Sequence, residues 1–104
     1  MTKVVIDTDI FIDLLRTKKG DLLTLFKLQE KQKVELYFSV ITITEIFSGK
    51  SSKKEKTELL ALIENFNIVP LTFEVAKLAG ELKRESKNPG QVSDLIIAAT
   101  AISL

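Results

Sequence analysis

The chain has 104 residues, a hydrophobic fraction of 45% and a charged fraction of 28%, which suits one soluble domain and is too apolar for disorder. Lys and Arg number 15 against 14 Asp and Glu, so a formal charge of +1 offers an anionic polymer no global attraction; any such contact has to be local. With no Cys and no His there is no thiolate metal site, disulfide or Ser-His-Asp arrangement, and chemistry would fall to carboxylates, lysines, hydroxyls or a bound ion.

Lys3-Val4-Val5-Ile6 is a β-branched run stopped by Asp7 and reads as a buried strand. Ile10, Phe11, Leu14 and Leu15 recur at helical spacing over 9–16, and after Gly20 the pattern resumes from Asp21 to Gln32. Leu36 to Ile41 is a second strand. Thr42 stands three residues before Glu45, the spacing of a capping box at the start of a short helix that Gly49 ends. The stretch 53–65 is helical by its leucines, and Phe66 to Leu71 reads as a third strand with Pro70 near its end. Thr72 caps the next helix, whose stripe is Val75, Ala76, Leu78, Ala79 and Leu82. Asn88-Pro89-Gly90 is a turn, and Val92 to Leu104 an Ala/Ile-rich buried helix. Phe11, Phe26, Phe38, Phe47, Phe66 and Phe73 all fall within apolar stripes or runs, so core packing is expected for most of them. No run reaches the roughly 20 apolar residues needed to cross a bilayer, and the N-terminus lacks a signal peptide's features, so the expectation is a cytoplasmic protein without membrane contact.

Alternating strands and helices indicate a single α/β domain, helices packed around a parallel sheet. Active sites in such sheets gather beyond the carboxyl ends of the strands. Asp7 ends the first strand, Glu45 begins the helix after the second, and Asp94 lies near the start of the last helix. If the three meet, their repulsion calls for a cation, and oxygen-only ligands favour Mg²⁺ or Mn²⁺ over zinc. Such an ion suits phosphodiester hydrolysis. Each acid also has a plainer use: Asp7 as a cap, Glu45 as the partner of Thr42 in the capping box, and Asp94 as complement to a helix dipole.

Three motifs resemble one family. Val4 to Ile12 resembles the opening of PIN-domain proteins, Thr42 to Gly49 their Thr-x-x-Glu motif with its Gly, and Ser93 to Ala101 their Asp followed by an Ile-Ala-Ala-x-Ala helix. The order and spacing match along essentially the whole chain, and the likeness is greatest to the VapC-type toxins of toxin–antitoxin pairs. It implies a PIN-like three-layer α/β/α sandwich and a Mg²⁺- or Mn²⁺-dependent endoribonuclease acting on RNA. It also implies a cytoplasmic homodimer silenced by a cognate antitoxin. By the same resemblance Asp7, Glu45 and Asp94 are the catalytic metal ligands and Thr8 supports them. Asp9 stands where the family often has Asn or Ser, and either joins the site or caps the helix from 9 to 16, the cap being preferred. The family continues past this helix into a strand with a hydroxyl residue and often a fourth acid, so a sequence ending at Leu104 reads as C-terminally truncated and lacking the last strand or strands. A catalytically impaired PIN domain that binds RNA or a protein is the alternative.

Lys50, Lys53, Lys54 and Lys56, and separately Lys83, Arg84 and Lys87, are candidate RNA contacts, although interspersed Glu55, Glu58, Glu81 and Glu85 also fit solvated helix faces. Ile10, Phe11, Leu14 and Phe47 can form a dimer or antitoxin groove, with core packing preferred. A phospho-receiver fold needs an acid at the end of its third strand, where this chain has Val69-Pro70-Leu71.

Overall fold

A computed structural model describes residues 1–17, 21–49, 53–64, 66–87 and 90–104, with the side chains of 14–17, 21–22 and 53–55 outside the description. Gly20 and the Asn88-Pro89 half of the expected turn therefore lie outside the described residues. The elements run β1 (Thr2–Val5), α1 (Thr8–Thr17), α2 (Asp21–Glu30), β2 (Val34–Ser39), α3 (Val40–Ser48), α4 (Lys53–Ile63), β3 (Asn67–Val69), α5 (Phe73–Glu85) and α6 (Val92–Ser103).

The strands form a parallel sheet in the order β1-β2-β3. Val4 lies opposite Leu36 and Val5 opposite Tyr37, while Phe38 lies opposite Ile68 and Ser39 opposite Val69. In the central strand β2, Leu36 at 0% and Phe38 at 1% exposure share one fully covered face, while on the other face Glu35 and Tyr37 are half-buried and Ser39 is buried. The third strand is shorter than the expected 66–71, because Pro70 has no N–H to give the ladder.

The core falls into two apolar clusters, the first built on the sheet. Val4, Val34, Leu36 and Phe38 share one parity and pack with Ile6, Phe11, Phe26, Ile46, Leu59 and Phe66. Phe38 meets Phe11 edge-on, with centroids 5.3 Å apart, and Phe66 likewise at 4.8 Å; Phe66 in turn stacks on Phe26 at 5.2 Å. A fully buried side chain of this size contributes about 1.5–3 kcal/mol, and Phe38 with Phe11, both fully buried, ties β2 to α1. The second cluster joins Val75 and Ala79 of α5 to Ile96 and Ala99 of α6, with Ile41 and Leu82 beside it. Small residues at the contact let these helices approach closely, and α6 also packs on α3, β1 and β2. The result is the expected α/β sandwich.

Local signals close the elements. Gln32 takes φ 58° at the end of α2, letting Lys33 N–H reach Leu28 O at 2.9 Å. Gln29 Oε1 accepts from Leu36 N–H at 3.1 Å and pins α2 to β2. Thr72 caps α5 as expected, its hydroxyl accepting from Val75 N–H at 3.2 Å. On the other parity of the sheet Lys3 lies opposite Glu35, and Tyr37 OH donates to Glu35 Oε2 at 2.7 Å. Phe73 departs from the expected core: at the first turn of α5 it is 77% exposed.

Candidate active site

β2 passes into α3 without a linker. Ser39, not Thr42, is the N-cap, and its hydroxyl accepts from Ile41 N–H at 3.2 Å. The capping box expected at Thr42 and Glu45 is thereby corrected. The β-branched Val40 and Ile41 read locally as strand, but the chain turns into helix at Val40, which puts both residues inside α3. Thr42, Glu45 and Ile46 then lie at i, i+3 and i+4 on one helix face. Ile46 enters the core at 5% exposure and Thr42 is wholly enclosed, so that face looks inward and carries half-buried Glu45 with it.

What Glu45 meets there is Thr8. The Thr8 hydroxyl donates to Glu45 Oε1 at 2.7 Å, a bond between residues 37 apart in sequence, and lies 3.2 Å from the Thr42 hydroxyl. A carboxylate acceptor makes the first bond charge-assisted. Thr8 follows Asp7 directly, so the start of α1 and the middle of α3 are tied at the carboxyl end of β1 and β2.

Asp7 is exposed and stands at the N-terminal end of α1. Its Oδ1 accepts from Asp9 N–H at 3.3 Å, and its carbonyl accepts from Ile10 N–H at 3.2 Å. Asp7 rather than Asp9 holds the cap position, which corrects the preferred reading of Asp9. The reason is register: α1 opens at Thr8, so Asp9 falls inside the first turn, where its charge complements the helix dipole.

Asp94 occupies the first turn of α6 and is exposed. Gly90 takes φ 69°, and a Cβ built there would lie 3.8 Å from Asp94 Oδ2, so the carboxylate leans back over the glycine. Helix α6 packs on α3 and β1, elements that bear or lead into the other two acids. Even so, among the described residues no three or more Asp, Glu, His or Cys side chains are grouped so as to hold one ion between them. The structure thus ties Glu45 to the residue after Asp7 and sets Asp94 on the neighbouring helix, without a closed carboxylate cage.

Chemically the donors fit a hard divalent cation. They are carboxylates throughout, and Mg²⁺ commonly takes only one or two of these while keeping several waters. Glu45 has one oxygen engaged by Thr8 and Asp7 one by a backbone N–H, which leaves each a second oxygen for another partner.

Of the candidate RNA contacts, Lys83 and Arg84 are exposed in the last turn of α5. Lys50 lies outside the described residues, and Lys53 and Lys54 sit at the start of α4 with side chains outside them. Of the suggested groove residues, Phe11 is wholly buried and Ile10 and Phe47 pack against the core, as preferred, while the Leu14 side chain lies outside the described residues. Sequence reasoning missed Thr42 as a buried neighbour of Thr8. The available signal was Ser39, a better cap directly after a β-rich run, which frees Thr42 from that duty.

A family model described as PIN domain matches residues 4–104. Among solved structures, the chain is similar to that of VapBC2 from Rickettsia felis bound to a DNA fragment from their promoter. The TM-score is 0.79 at 20% sequence identity, and the match covers 99% of this chain and 81% of that chain. At this identity the likeness is one of fold. No curated protein matches the chain. Among the described residues no helix is long and apolar enough to cross a membrane.

Proposed function

This chain belongs to the PIN-domain family, whose members are generally nucleases, and from that membership we propose a divalent-cation-dependent endoribonuclease of the VapC toxin type. Asp7, Glu45 and Asp94 are its catalytic carboxylates, with Mg²⁺ or Mn²⁺ as cofactor. The observation that carries the reading is the 2.7 Å bond from Thr8 to Glu45, because it gathers the motif at Asp7 and the motif at Glu45 onto one edge of a parallel sheet. That edge is where α/β folds place their chemistry.

When bound, the cation would supply Lewis acidity, activating water and offsetting charge that builds on the phosphate. The chain's own residues do the rest. Thr8 holds the Glu45 carboxylate in one orientation, the backbone of α1 orients Asp7, and the buried Thr42 and Ile46 keep water from the inner side of Glu45. Lys83 and Arg84, with Lys50, Lys53 and Lys54, are the candidate phosphate contacts, so RNA binding falls steeply as salt rises. The fold shared with VapBC2 supports a cognate antitoxin as partner. A cytoplasmic homodimer completes the reading.

The test pairs Mn²⁺ calorimetry with cleavage of a fluorescent single-stranded RNA. Asp7→Asn should lower both by more than about 100-fold, since loss of even an outer-shell partner costs 10–100-fold. A variant that keeps both would defeat the assignment. Saturable binding of RNA without cleavage by the parent chain would identify the impaired, RNA-binding form of the domain instead.

A further inference from the structure

We propose that Thr42 is a positioning residue for the Glu45 carboxylate, acting through the hydroxyl of Thr8; this rests on the nuclease reading above. The argument begins with a count of hydrogens. Thr8 is 4% exposed and Thr42 0%, so neither hydroxyl turns to solvent. The Thr8 oxygen has two neighbours, Glu45 Oε1 at 2.7 Å and Thr42 Oγ1 at 3.2 Å, but only one hydrogen to give. An ionised carboxylate only accepts, so that hydrogen is committed to Glu45. The bond between the hydroxyls therefore runs from Thr42 to Thr8.

The direction has consequences. A buried threonine in a helix usually spends its hydrogen on a backbone carbonyl one turn earlier, as Thr100 does with Ile96 O at 2.7 Å. Thr42 instead reaches out of α3 to α1. By filling an acceptor site on Thr8 it sets the rotor of that hydroxyl, and consecutive bonds polarise one another in a dry setting. The path leaves α3 at Thr42 and returns to it at Glu45 one turn later, with α1 supplying the bridge. Glu45 is a long side chain with several rotamers, and holding Oε1 in this closed path sets where Oε2 lies. Among the described residues no buried side-chain polar atom lacks a partner, so the path is complete as it stands.

Three chains decide the matter: Thr42→Val, which keeps shape and drops the hydroxyl, Thr42→Ser, which keeps the hydroxyl, and Asp7→Asn as control. Titrated with Mn²⁺ alone, Thr42→Val should bind about ten-fold more weakly, the low end for loss of an outer-shell partner, while Thr42→Ser stays close to the parent chain. A second readout needs no metal. In the parent and Ser chains the Thr8 hydroxyl proton should exchange slowly with water by NMR, and in the Val chain faster. Equal Mn²⁺ affinity for Val and parent, or equal weakening by Val and Ser, would overturn the inference; so would fast exchange of that proton in the parent chain, a result that needs no variant to fold. Asp7→Asn that still binds Mn²⁺ would sink the nuclease reading and the positioning role with it, whereas its loss beside an unaffected Thr42→Val would sink the positioning role alone.

Discussion

Thr8→Val separates the hydroxyl from the shape of the side chain that joins α1 to α3. Valine is nearly isosteric with threonine, and the site is 4% exposed, so packing is preserved and the change is chiefly polar. Two losses follow. A hydrogen bond to a charged group is worth about 1.5–3 kcal/mol, and half-buried Glu45, which water can partly resolvate, puts the 2.7 Å bond at the lower end. The enclosed Thr42 hydroxyl loses its partner as well, which costs up to about 1 kcal/mol, less if it turns back to a helix carbonyl. Together the cost is about 2 kcal/mol. With a urea slope near 1 kcal/mol/M, the unfolding midpoint should fall by about 2 M with the slope unchanged. Circular dichroism during urea titration measures this. Thr8→Ser, which keeps the hydroxyl and gives up a buried methyl, should lose only about 0.8 kcal/mol. A Val variant as stable as the parent, or no less stable than the Ser variant, would show that the hydroxyl does not hold the two helices together.

Tyr37 is the only tyrosine and the chain has no tryptophan, so ultraviolet difference absorbance reads its ionisation without ambiguity. Its bond to Glu35, followed by burial and the Glu35 charge, raises its pKa above the ordinary 10.0. The folded state thus favours the neutral phenol; this contribution to stability is full below the unfolded pKa near 10 and fades as pH climbs through the higher folded value. Glu35→Ala should return the titration toward the ordinary range, and a midpoint unmoved by that change would refute the assigned cause. Thr72→Ala removes the bond to Val75 N–H at 3.2 Å and should cost about 1 kcal/mol, or roughly 4–8 °C in Tm, with Thr72→Ser restoring most of it. Equal melting of the Ala and Ser variants would mean that the cap adds nothing to α5.

Most of the secondary structure was legible, because its signals are local. The β-branched run before Asp7, the helical stripe after Thr72 and the Ala/Ile-rich stretch from Val92 all lie where periodicity put them. The largest departure falls at the junction of β2 and α3. Val40 and Ile41 favour strand by side-chain shape, and Thr42 with Glu45 matches a capping box by spacing, yet both preferences gave way to a helix opening at Ser39. Phe73 misled in the opposite sense: its composition suggested core, and its place in the first turn of α5 left it outside.

The site divides in the same way. That Asp7, Glu45 and Asp94 deserved attention came from residue type and motif order, both properties of the linear chain. That Asp7 rather than Asp9 stands at the helix start, and that Thr8 grips Glu45 across 37 positions, could not. Such contacts depend on how α1 and α3 are pressed together by Phe11, Phe38 and Ile46. Periodicity and capping act over one or two turns, so a single strand of text records them; the meeting of distant hydroxyls and carboxylates is set by packing, which only the folded chain decides.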